Sequence, residues 1–503
     1  MKKIILAFSL GVLSASALPV LAQDKNHTAQ KNLQATRQYY AKLVNPSSPQ
    51  LAELTMLMTM MPKGGDIHHH YSGAIYAETY LDWVAQKGYC IYRDSDTNLK
   101  QEKFKVETRT AQINEANKSC LKVDAIRKDN AMYRELMSAW SVVDFDNHGH
   151  TQLPPDQHFF NTFGYFSSIA KYSTNLGLQI LKQQAKNENI QYLETMLRSA
   201  PVTENAEFAA RLDALTSTSS VADMQQAFAQ FADFLAQDSA TQKKITDFIK
   251  EAEADAAGID DADFSLRFQT YVSRNSPASK VFSSLYSAFA ASQANPLIVG
   301  VNIVGAEHAL IALRDYQLHM QMFAFLKQRF PTVRLSIHAG ELALGIVAPE
   351  HLQSHIRDAV QIAGAERIGH GVDIMHEARP DQLLGELKKR NVAVEINLSS
   401  NSFILGIPAQ AHPVTMYMRH QVPIVISSDD PGVSRNNISH EYMLFASRYQ
   451  PSYDTLKKTV YNSIRYSFLS QQDKAQQVKL LDQRFLQFEA AAAKLAQAAQ
   501  VKF

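Results

Sequence analysis

Cysteine is nearly absent from this chain: 503 residues contain only Cys90 and Cys120. Two cysteines thirty positions apart cannot build a His/Cys/Cys zinc site with a P-C-x-x-C motif, so that form of zinc chemistry is excluded. An excess of either charge is also missing. Fifty Lys and Arg stand against 49 Asp and Glu, a formal net charge of +1, so nothing in the charge balance suggests a nucleic-acid or other polyanion partner and none is expected. Long apolar runs are lacking too. The longest candidate, Ile4 to Leu13, is too short and interrupted to span a bilayer. No internal repeat stands out. What remains, 46% hydrophobic and 20% charged residues, is the composition of a globular protein with a large core.

The first residues form an object of their own. Lys2-Lys3 precede the apolar stretch, and small residues lead to Val20-Leu21-Ala22. That layout predicts a signal peptide over 1–22, cut after Ala22, and an exported, periplasmic or secreted protein; a mobile N-terminal helix is the alternative. Losing Lys2 and Lys3 takes the net charge from +1 to −1. No cysteine follows the cut, so no lipid anchor and no stable membrane association are expected. Export favours pairing Cys90 with Cys120 across a polar segment, Tyr92 to Lys118, that reads as an inserted loop region. Two separate buried thiols are the alternative.

Residues 23–60 read as a polar N-terminal arm leading into a helix over Leu51–Met61, and 61–503 as one large domain. Two insertions are expected, at about 88–122 and, Ala-, Gln- and acid-rich with helical periodicity, at about 203–292. Helices are also expected at Ala77–Gln86 and Phe159–Gln184. His148 and His150 fall in a loop-like stretch and read as solvated. From Pro296 onward short apolar strands alternate with amphipathic helices: Leu297–Val304, Val333–His338, Glu366–Gly371, Val392–Leu398 and Pro423–Ser428. Continuous apolar strands separated by helices mean a parallel sheet covered on both faces. With Asp66–His70 and Ile190–Thr195 at least seven strands can be counted, which predicts an α/β fold, a closed (β/α)8 TIM barrel with helical insertions.

The chain is organised around Asp66-Ile67-His68-His69-His70. Alternation along a strand sends His68 and His70 to one face and His69 to the other. Other strands also end in polar groups: His338-Ala339-Gly340-Glu341, Gly369-His370-Gly371, Asn397 with Ser399-Ser400-Asn401, and Ser427-Ser428-Asp429-Asp430. In a parallel barrel the C-terminal strand ends ring one face, where active sites lie. His68, His70 and His338 offer three nitrogen ligands and Asp429 a carboxylate, a donor set suited to one Zn²⁺ with a position left for water. Glu341, past a tight turn, is placed as a general acid; a hydrogen-bond partner to His338 is the alternative. His370 could hold or deprotonate the water.

These residues resemble the adenosine deaminase branch of the metal-dependent amidohydrolases. The resemblance rests on His68-x-His70 with Gly73-Ala74, Ser336-Ile337-His338-Ala339-Gly340-Glu341, Arg367-Ile368-Gly369-His370-Gly371, Asn397-Leu398-Ser399-Ser400-Asn401 and Ser427-Ser428-Asp429-Asp430-Pro431. It implies zinc on His68, His70, His338 and Asp429, and Glu341 protonating purine N1. It further implies His370 orienting and deprotonating the attacking water, Asp430 accepting a hydrogen bond near N7, and the Gly305 backbone N–H reaching N3. The signal peptide, the Met61-Pro62-Lys63-Gly64 lead-in and the Cys-bracketed insertion also resemble the secreted adenosine deaminase-related growth factor subgroup. The implied ligand is a small purine nucleoside, with a homodimer possible.

One position departs from the family pattern. An Asp that contacts the ribose 5′-hydroxyl in classical members is replaced here by Ser72, which is shorter and uncharged. Adenosine and 2′-deoxyadenosine are the expected substrates, with another 6-aminopurine (a modified adenosine, adenine or AMP) as the alternative. No basic cluster lies near the motifs, which disfavours a phosphate. From a different class, a secreted binding protein with a vestigial site would have no need of an intact ligand set and Glu341.

Overall fold

The computed structural model describes residues 17–96, 101–109, 120–145 and 153–499. Eight parallel strands form the barrel: β1 (Gly64–His70), β5 (Ile190–Ser199), β6 (Ser265–Ser273), β7 (Ile298–Val304), β8 (Ser336–Ala339), β9 (Arg367–His370), β10 (Ala393–Ile396) and β11 (Ile424–Ile426). They run as two four-stranded sheets, β1-β5-β6-β7 and β8-β9-β10-β11. Two parallel bridges join the sheets, Val301 to Leu335 and His69 to Asp429. At the second seam the Asp429 N–H donates to the His68 carbonyl (3.0 Å) and the His70 N–H to the Asp429 carbonyl (2.9 Å). The barrel therefore closes, and its closing bonds lie between residues central to the site.

The predicted strands of the C-terminal half are all present, most of them shorter than expected, and β8 is shifted to end one residue later, at Ala339. Their interiors are inaccessible because helices cover the outside, which is why they read as unbroken apolar runs. Phe159–Gln184 is two helices, Pro155–Ala170 and Thr174–Asn187.

Three readings need correction. The stretch 203–292 is not wholly helical: helices Val221–Gln237 and Ser239–Ala256 are followed by β6, a barrel strand. Its sequence, SLRFQTYVS, carries Arg267 and Gln269 among the apolar residues, and Gln269 is buried because Glu194 and Asn302 bond to it. Polar residues bonded to one another inside the barrel erased the apolar signal. The polar arm is helical, Ala17–Leu43, running on from upstream of the expected cut. It docks on the C-terminal helix Gln471–Ala498, where Thr36 Oγ1 bonds to the Glu489 carbonyl (3.2 Å). The Cys-bracketed insertion contains an antiparallel sheet, with β2 (Cys90–Asp96) between β3 (Gln101–Glu107) and β4 (Leu121–Lys122). Ile91, Phe104 and Val106 bury its inner face, and a Cys90–Cys120 disulfide ties its base. His148 and His150 lie outside the described residues. No described helix is long and apolar enough to cross a membrane.

Candidate active site

β1 presents His68 and His70 to the barrel mouth and His69 outward, where its Nδ1 meets Thr195 Oγ1 at 2.9 Å. After β8 the chain turns at Gly340 (φ +75°). A Cβ there would come within 2.4 Å of Asp373 and 2.7 Å of Ile356, so only glycine fits. The turn delivers Glu341 beside His338. His370 (φ 70°) and Asp429 (φ 65°) also sit in the left-handed region, unusual for non-glycine residues and typical of functional strand ends.

His70, Ser72, Gly305, His338, Glu341, His370, Asp429 and Asp430 line one cavity of 230 Å³, with Phe159, Phe160, Phe163 and Tyr271 as an aromatic wall. His68 lies directly behind, fully buried. Every site residue read from the sequence thus converges, apart from the cysteine pair, which belongs to the outer sheet.

The imidazoles meet nitrogen to nitrogen. His338 Nε2 lies 3.3 Å from His70 Nε2, and Asp429 Oδ1 lies 3.3 Å from His68 Nε2 and 3.2 Å from His70 Nε2. Their opposite sides explain why. His68 Nδ1 donates to Glu395 Oε2 (2.5 Å). His338 Nδ1 donates to Asn302 Oδ1 (2.8 Å), an oxygen identified by the backbone N–H of Ile303 and of His338 that it also accepts. With each Nδ1 proton committed, both Nε2 atoms point inward; burial would lower His68, but Asp429 and Glu395 raise it to about 10, so its Nε2 proton is the one a cation would displace. His68 Nε2 is buried without a hydrogen-bond partner. Converging ring nitrogens, one of them orphaned and buried, with a carboxylate beside them, are what a cation would satisfy. Three groups among the described residues could hold a metal: His68, His70 and His338; His68, His370 and Asp429; and His70, Asp429 and Asp430. Burial pushes the His70 and His338 rings down, keeping them neutral. Burial alone would raise Asp429, but the His68 and His70 rings beside it hold it well below the usual carboxylate range.

The other two carboxyls behave oppositely. Burial, reinforced by the charges of Asp429 and Glu307, lifts Glu341 well above its ordinary range. Burial and Asp429 do the same to Asp430, whose Oδ1 has no partner. Paired carboxyls with opposed ionisation are the usual basis of acid and base roles.

Sequence reasoning missed the groups that support these residues. Glu395 accepts from His68, from Arg367 Nε (2.5 Å) and from Ser336 Oγ (2.9 Å), and Arg367 also pairs with Glu194 (2.5 Å). Glu307 accepts from the backbone of Gly340 (3.1 Å) and Glu341 (2.9 Å), and His355 Nδ1 donates to it (2.6 Å). The available signal was a charged residue inside an apolar strand, Glu395 in VAVEI and Glu194 in IQYLET, which is costly to bury without a partner.

Comparison with known proteins agrees with this geometry. The family model described as adenosine deaminase matches residues 198–484. An adenosine deaminase of Serratia proteamaculans is 32% identical over 151 residues, 30% of this chain and 42% of that protein. One of Clostridium perfringens is 30% identical over 140 residues, 28% and 39%. The chain thus spans about two-fifths of the length of the curated relatives it matches. Among solved structures, an N6-mAMP deaminase of Arabidopsis superposes with a TM-score of 0.52 at 15% identity, over 85% of this chain and 99% of that one. A zinc-bound amidohydrolase of Burkholderia ambifaria gives 0.50 at 15% identity, over 88% and 94%. At such identity these structures speak for the barrel fold alone.

Proposed function

This chain belongs to the adenosine deaminase family of metal-dependent hydrolases, and from that premise we propose that it hydrolyses adenosine and 2′-deoxyadenosine to inosine and 2′-deoxyinosine, releasing ammonia. The observation that carries the reading is a protonated Glu341 and an ionised Asp429 in one buried cavity with converging histidine nitrogens. His68, His70, His338 and Asp429 would hold Zn²⁺, which suits such a donor set. When bound, it supplies Lewis acidity that draws the pKa of water down to about 7.

Asp429 accepts a proton from the attacking water, whose oxygen adds to C6 while Glu341 gives its proton to N1. Asp429 then protonates the amino group, the C6–N6 bond breaks, and the C6 hydroxyl proton returns to Glu341. The products are a 6-oxopurine and ammonia, with both carboxyls restored. Asp430 enters as a neutral acid that donates to N7, in place of the accepting role read from the sequence. Gly305, at φ +100°, offers its backbone N–H to N3.

A second reading concerns the sugar. A 530 Å³ cavity adjoins the first and shares Ser72, Phe163 and Tyr271 with it. Its Arg198 is tied to Glu251 (2.5 Å) and Asp255, and its Lys171 is exposed. This favours a neutral 5′-modified adenosine over AMP. The reading also includes export, supported by the apolar stretch behind Lys2-Lys3 and by the disulfide; the N-terminal mass of the secreted protein tests it.

The decisive assay follows adenosine absorbance with zinc-loaded protein, with adenine, AMP and a 5′-alkylthio adenosine in parallel. Turnover of adenosine that a chelator abolishes supports the reading. Zinc-loaded protein inert towards all four refutes it.

A further inference from the structure

His370 faces the reacting groups with Nε2, 3.7 Å from Glu341 Oε1. Its Nδ1 lies 2.8 Å from Asn401 Nδ2 and 3.3 Å from Asn397 Nδ2. The two ends of a carboxamide have the same shape, so a contact with His370 does not by itself say which end faces the ring. A more distant residue says so. The backbone N–H of Val414 donates to His412 Nδ1 (3.3 Å), and a backbone N–H can only donate. His412 therefore keeps a lone pair on Nδ1 and its proton on Nε2. The ring stays neutral, because it is 4% exposed and burial pushes it down to about 3. His412 Nε2–H points at Asn401 Oδ1, 3.2 Å away. The NH₂ of Asn401 must then face His370 Nδ1, which can only accept from it.

We propose that His412, acting through Asn401, fixes His370 as the Nε2–H tautomer, making His370 a hydrogen-bond donor to the attacking oxygen rather than a base or a metal ligand. His412 and Asn401 are positioning residues, and neither lines the cavity. A ring with its proton on Nε2 has no lone pair to offer there, so of the three groups able to hold a metal, the one containing His370 is disfavoured. The donor role rests on the deaminase reading; the tautomer does not.

The test uses zinc-reconstituted full-length protein carrying ¹⁵N-histidine. The His370 signals are assigned by comparison with His370→Gln, and nitrogen shifts report which ring nitrogen bears hydrogen. A protonated Nε2 with a bare Nδ1 is expected in the wild type; a proton on Nδ1 overturns the proposal, and this measurement needs no variant of the relay to fold. Kinetics add a second arm. His412→Phe removes the donor to Asn401 and should lower kcat roughly tenfold or more with little change in KM. His412→Gln restores an N–H at that place and should recover most of kcat. Equal losses in both variants, with wild-type melting behaviour, would also overturn it. Absence of any deamination would strike the functional reading, while the nitrogen spectrum still decides the tautomer.

Discussion

Replacing Glu395 by Gln should weaken metal binding and folding together. This fully buried carboxylate collects three donors: His68 Nδ1–H, Arg367 Nε–H and Ser336 O–H. Glutamine keeps the shape but loses the charge, and its NH₂ would meet another donor. Breaking a buried ion pair while leaving one partner in place costs about 3–5 kcal/mol, with Arg367 still held by Glu194, which favours the lower end. Loss of the partner that orients His68 should weaken metal affinity about 10–100-fold. The pH dependence provides a separate check. Burial would raise Glu395, but Arg367 and His68 hold it down to about 2 against an ordinary 4.5. Its contribution is therefore complete above pH 4.5 and is lost as pH falls towards 2, a difference of about 3 kcal/mol. Urea melts and chelator competition at pH 7 should show both losses, and the stability gap should narrow as the pH is lowered through that window. A variant with wild-type stability and wild-type metal affinity would refute the assignment of Glu395 as the anchor of His68.

Three further outcomes follow from the same geometry. Glu341→Gln should cut kcat by about 10²–10⁴ while metal content, read by elemental analysis, stays unchanged; loss of metal would return Glu341 to a structural role. Gly73→Ala would place a Cβ 1.6 Å from Asp430 Oδ1, so affinity for a purine analogue should collapse in a protein that still folds by circular dichroism. Cys90→Ser with Cys120→Ser removes a crosslink spanning 30 residues, worth about 3–4 kcal/mol of chain entropy in the loop-closure model. Because that sheet lies outside the barrel, limited proteolysis should cut within 88–122 in the variant and leave kcat nearly unchanged.

The sequence by itself determined the chemical inventory and the fold class. Apolar strands separated by helices required a covered parallel sheet, and the polar ends of those strands named His68, His70, His338, Glu341, His370, Asp429 and Asp430. These were legible because alternation and strand-end position are local properties of the chain. β6 was illegible for the complementary reason: Gln269 is tolerated in the barrel only because Glu194 and Asn302, far away in sequence, bond to it. Tertiary structure alone decided the closure between β1 and Asp429, the support of His68 by Glu395, and the opposed ionisation of Asp429 and Glu341. It also decided the tautomer of His370, through a residue no motif singled out. A proton's position depends on which atom faces which across a fold, and spacing along a chain carries no record of that.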